Sequence, residues 1–124
     1  MILNLQLISK LELFFSFCGI HRINITSQNT FSVGSFIAQV NAVDIGAKIE
    51  SVLILKINAP RPDIALRMCQ SMRPESIFGV VGSFFFVNNR LSLSCLLPEE
   101  LGAEDWYRIF EYQKDYMLSF LSEQ

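Results

Sequence analysis

Phe78-Gly-Val-Val-Gly-Ser-Phe-Phe-Phe-Val87, Asn88-Asn89 and Arg90-Leu-Ser-Leu-Ser-Cys-Leu-Leu97 stand one after another in the chain. Two alternating apolar runs flanking a polar pair predict two antiparallel strands joined by a tight turn. Asn tolerates positive φ better than most residues, which suits the centre of a two-residue type I′ turn. In the second run Leu91, Leu93, Cys95 and Leu97 share one side and Ser92 and Ser94 the other, so one side is expected buried and the other wet. In the first run Phe84 and Phe86 oppose Phe85. If helices cover the first pair, then Phe85, Val81 and Val87 need a cover from a second subunit, a bound polypeptide or the fold itself. Gly79-Val-Val-Gly82 falls inside this strand, where glycine allows close packing or a bulge.

Downstream, Pro98 ends the pairing and Glu99, Glu100, Glu104 and Asp105 open a helix whose positive end they complement. Trp106, Ile109, Phe110, Gln113, Met117, Phe120 and Leu121 then form one apolar stripe. Upstream, Ala59-Pro60-Arg61-Pro62 breaks the chain, Asp63 can cap a helix, and Ile64, Ala65, Met68, Cys69 and Met72 recur at helical spacing until Arg73-Pro74. Before that break the period is two. Ile23 and Ile25 suggest a weak strand, Phe36–Val43 a better one, and Ile49–Ile57 a third, with turn chemistry at Asp44 and Gly46. Residues 2–18 fit a helix stopped at Gly19. Leu3, Leu7, Ile8, Leu11, Phe14, Phe15, Phe17 and Cys18 fall on one half of it, while Ile2, Leu5 and Leu13 land among its polar residues. That greasy outer side is either enclosed by the fold or offered to a partner. The order is α-β-β-β-α-β-β-α, an α+β class in which helices pack an antiparallel sheet, as a single domain over 1–124.

At 124 residues the chain has room for one core. Eleven Phe and 51% hydrophobic residues are hard to hide in it, which favours an oligomer or a binding face. A net charge of −2 argues against nucleic acid, whose phosphates need a basic patch. The opening residues lack a basic run, and Asn4, Gln6, Lys10 and Glu12 interrupt their apolar character. No signal peptide or membrane span is expected, and the expected location is cytoplasmic. Cys18, Cys69 and Cys95 lie in apolar runs with no CxxC, and read as buried free thiols.

Residues for chemistry are sparse. His21 is the one histidine, beside Arg22 at a junction, with no nucleophile or zinc spacing near it. No GxGxxG or P-loop occurs, and a helix start accounts for the acidic cluster better than an acid/base pair. Arg61, Arg67 and Arg73, spaced by six, spread around their helix as a solvated surface. No enzyme, metal or cofactor is expected; the work falls to surfaces.

This layout resembles the class I type III secretion chaperones of bacterial pathogens. The resemblance rests on Asn58-Ala-Pro60 leading into the helix at 63–72, and on the Phe84–Leu97 hairpin running through Leu97-Pro98-Glu99 into the last helix. It spans most of the chain and involves no strict motif. It implies a cytoplasmic homodimer that binds the N-terminal segment of a secreted effector and keeps it soluble and secretion-competent without nucleotide. Carried onto this chain, Leu5, Leu13, Phe31, Phe36 and Ala38 would face the client as outward apolar positions. Leu66, Met68, Phe85 and Val87 would lie near the dimer seam. The alternative is a small dimeric adaptor or immunity-type protein with a folded partner.

Overall fold

A computed structural model describes residues 3–21, 24–46, 48–58, 63, 66, 67, 70, 77–87 and 90–121. Strands β1 (Gln28–Val33), β2 (Phe36–Ile45), β3 (Lys48–Asn58), β4 (Gly82–Val87) and β5 (Arg90–Leu97) form one antiparallel sheet in the order β1-β2-β3-β5-β4. The first helix spans Leu5–Phe17 and the last Ala103–Leu121. Asp63, Leu66, Arg67 and Gln70 are helical and mark the middle helix; the rest of that stretch, Met68 and Cys69 included, lies outside the described residues. The α+β class and the expected element order hold.

Local chemistry sets the ends of the first helix. Asn4 Oδ1 accepts the Leu7 N–H at 2.8 Å, an N-cap bond. At the other end Gly19 takes φ 82°, so its N–H reaches Ser16 O and the Ile20 N–H reaches Phe15 O at 2.8 Å. Those paired bonds close the last turn as a Schellman motif, which needs the left-handed conformation that glycine adopts without a Cβ clash.

The first strand differs from its expected place. Asn24–Thr26 are not in a strand, and Ile23 lies outside the described residues. Asn29 explains the shift. Its side chain is buried, accepts the Thr26 N–H at 2.9 Å and donates to Thr26 O and Val40 O. That knot turns the chain at 26, and pairing with β2 then begins at Gln28. A polar residue on the core side disguised the alternation of Asn29, Phe31 and Val33. The run at 78–87 is also shorter than expected. Ile77–Gly79 form a 3-10 turn in which Phe78 has φ 61° and Gly79 φ 71°. Two successive left-handed residues cannot continue a strand, so β4 starts only at Gly82. Gly82 is a close-packing glycine, since a Cβ there would sit 3.4 Å from Leu93 Cδ1 and from Gln113 Nε2. The turn pair Asn88-Asn89 lies outside the described residues.

Both helices pack on the same side of the sheet. Leu11, Phe14 and Phe15 from the first helix and Trp106, Ile109, Phe110 and Met117 from the last are buried with Phe31, Phe36, Ala38, Val40, Leu53, Leu55, Leu91, Leu93, Cys95 and Leu97. Aromatic edges hold the layers together: Phe15 meets Phe31 at 5.3 Å, Phe14 meets Phe110 at 6.0 Å and Phe31 meets Phe110 at 6.1 Å between centroids. One expectation fails on the far side of the sheet. Ser92 is only 2% exposed, because its register puts it between Lys56 and Phe85. Leu96 and Arg90, not a serine, are the exposed residues of that row, and Ser94 is half-buried.

Candidate functional site

The outer side of the first helix is an uncharged apolar strip. Leu5 is 81% exposed and Leu13 52%, and Phe17 is exposed as well. At 100° per residue these three fall within about 120°, with Ser9, Ser16 and Gln6 between them. Phe17 was expected on the buried half. It instead lies over Tyr107 at 5.7 Å, because the helix ends there and the core is already filled by Phe14 and Phe15. Small serines between large apolar side chains leave grooves that a partner's side chains can enter.

Of the other residues assigned to the client face, Phe31 is 7% exposed, Phe36 3% and Ala38 0%. They are not outward-facing, and that premise is corrected. All three sit on the core side of β1 and β2 beneath the helices, where the alternation carries them. Among the positions assigned to the dimer seam, Leu66 and Phe85 are exposed. Met68 lies outside the described residues. Val87 pairs with Arg90 at the end of β4, and its side chain lies outside the description. The fold therefore brings Leu5 and Leu13 together and separates them from the three core residues.

The far side of the sheet lies opposite the face that packs the buried residues of the first and last helices. It exposes Val43, Ile45, Leu96 and Phe85, with Ile37, Val52 and Ile54 half-buried among them. Asn41 Oδ1 is buried there without a hydrogen-bond partner among the described residues.

Sequence reasoning missed a cleft of about 410 Å³ at the end of the sheet, lined in part by Leu7, Lys10, Lys48, Ile49, Leu97 and Trp106. Its wall is built around Lys10. The ammonium donates to Glu99 O at 2.8 Å and Leu101 O at 2.6 Å, and lies 4.4 Å from the centre of the Trp106 ring. Burial lowers the Lys10 pKa, opposed by Glu99 and Glu100. Trp106 Nε1–H in turn donates to Pro98 O at 2.7 Å. No spacing in the chain links residues 10, 48 and 106. The sequence shows Lys10 only as a break in an apolar run and Trp106 only as part of a core stripe.

Among the described residues, reactive groups do not gather. His21 is exposed at its junction, and no three His, Cys, Asp or Glu among the described residues are grouped to hold a metal. Burial pushes the Cys95 and Cys18 thiols up to about 12, so neither supplies thiolate at neutral pH. Cys95 is buried and Cys18 half-buried, both free. No helix among the described residues is long and apolar enough to cross a membrane.

The described residues form a small α+β domain in which a sheet is backed by two helices and apolar side chains remain on the outside of a helix and of the sheet. Comparison with known families is more specific. The SsaM family model matches residues 4–120, so the chain belongs to the SsaM family, which is type III secretion chaperone-like. This supports a type III secretion chaperone and not the class I subtype that the layout suggested. Neither a curated protein nor a solved structure matches the chain.

Proposed function

We propose that this protein holds the N-terminal segment of a secreted effector along the outer side of its first helix, keeping it soluble and competent for secretion without nucleotide. One observation carries the reading: the uncharged strip of Leu5, Leu13 and Phe17 stands open to solvent although the chain has a full core beneath it. An amphipathic or extended client segment laid there removes apolar surface of both partners from water. The family assignment supports the same reading. The protein works as a homodimer in this proposal, with the exposed Leu66 and Phe85 near the seam; Met68 and the Val87 side chain, assigned to the same seam, lie outside the described residues.

The test is capture of effector fragments. The protein is co-expressed with N-terminal fragments of the effectors of its own secretion system, and stable complexes are isolated. The expected result is a complex with an unfolded fragment, lost in Leu13→Asp while that variant keeps the wild-type melting temperature. Because Leu13 is half exposed, the new carboxylate stays solvated in the free protein but is stranded under a bound apolar segment. Binding only to a folded partner sinks the proposal and favours the adaptor reading.

A further inference from the structure

The cleft beside Trp106 is a different kind of surface from the helix strip. We propose that it reads a carboxylate, taking an acidic side chain of the polypeptide held along the first helix; the choice of a polypeptide rests on the function proposed above. The cleft lining also holds the Glu99 carboxylate, the Gln6 amide oxygen and the Ser51 hydroxyl as acceptors, but four other acceptors at and beside it are engaged from within the protein. Asn4 Oδ1 takes the Leu7 N–H, Pro98 O takes Trp106 Nε1–H, and Glu99 O and Leu101 O take Lys10.

Several of the donors are not engaged in this way. The Lys48 ammonium and the side-chain amides of Asn4 and Gln6 donate to no described residue, and Lys10 retains one N–H beyond the two given to carbonyls. Lys10 and Lys48 face one acidic lining residue, Glu99, with Glu100 close enough to act on Lys10. Between the polar groups, Leu7, Ile49, Leu97 and Trp106 offer apolar surface for the stem of a long acidic side chain. The volume of about 410 Å³ suits such an occupant. Continuity supplies the source: Asn4 and Gln6, on the cleft wall, flank Leu5, the most exposed large apolar residue among the described residues. A segment leaving the strip at Leu5 arrives at the cleft mouth.

Trp106 is the only tryptophan in the chain, so its fluorescence reports on the cleft directly. The probes are the peptide acetyl-Leu-Ala-Glu-Leu-Leu-amide, its Gln counterpart and N-acetylglutamate, titrated into the full chain. The Glu peptide is expected to bind about tenfold tighter than the Gln peptide, as a charge-assisted contact gives. This preference should shrink when salt rises from about 50 mM to about 500 mM. Lys48→Gln should erase it. Leu13→Asp should weaken both peptides and keep the preference. Equal binding of the two peptides, or a preference that survives Lys48→Gln, overturns the proposal. N-acetylglutamate binding as tightly as the peptide also overturns it, by making the occupant a free small acid. If effector capture tolerates Leu13→Asp while the Glu preference stands, the helix strip is wrong and the carboxylate pocket remains. Loss of the preference with capture intact removes the pocket alone.

Discussion

At the scale of single residues, the buried thiols give the clearest test. Cys95 sits on the core side of β5 with its pKa moved by burial from 9.0 to about 12, and Cys18 moves in the same direction, also mainly by burial. A raised folded-state pKa means that the unfolded chain releases the proton first. The associated stability is complete below pH 9 and is lost as pH climbs through about 12. Lys10 has the opposite sign. Its lowered pKa makes the charged form costly in the fold, so its contribution improves as pH rises toward 10.5. The two thiols outnumber the one amine. Urea midpoints are expected to fall from pH 9 to pH 11, and to fall less in Cys95→Val, while maleimide labels Cys95 of the native protein slowly at pH 7. Cysteine in an apolar run made the buried Cys95 legible beforehand. Lys10 was not legible, because its partners are backbone carbonyls about ninety positions away.

At the scale of elements, the ends of the first helix depend on two residues. Asn4→Ala removes the cap on the Leu7 N–H and should cost about 1 kcal/mol. Gly19→Ala forces a Cβ into a φ of 82° and should cost about 1 kcal/mol, with no steric contact adding to it since nothing lies within 4 Å. Both are read from urea unfolding. The helix itself was legible from its apolar spacing, and so was its glycine stop. The first strand was misplaced because Asn29 faces the core, and a polar residue there breaks the apolar alternation on which strand assignment relies. The start of β4 was misplaced for a different reason. Phe78 matches a strand by residue type, and only its φ of 61° excludes it.

At the scale of the whole molecule, Phe31 decides between a core and a client role. Its ring touches Phe15 of the first helix and Phe110 of the last, tying the edge strand to both. Phe31→Ala should cost about 3–5 kcal/mol and lower the melting temperature in the absence of any client. A client residue would be silent there, as Leu13→Asp is expected to be. The homodimer has its own measurement: light scattering at micromolar concentration should give about twice the 14.1 kDa chain mass. A strict monomer contradicts it, and Phe85→Lys should shift a dimer toward monomer if that exposed strand residue lies at the seam.

The sequence by itself determined the order of the elements and the sides of β3, β5 and the last helix that turn inward, but not the place of β1 or the start of β4. Those properties follow from periodicities of 2 and 3.6 and from turn residues, which act over a few positions. It also showed that the chain lacks a local pattern for catalysis. Which apolar residues remain outside was decided only by the tertiary structure. Leu5 and Phe31 are alike in composition terms, yet one stands in solvent and the other under two helices. The cleft of Lys10, Lys48 and Trp106 is likewise a product of assembly. The physical reason is common to both: burial and side-chain pairing depend on which surfaces meet, and the meeting of residues 10, 48, 99 and 106 is set by the packing of a helix against a sheet end and not by any local spacing.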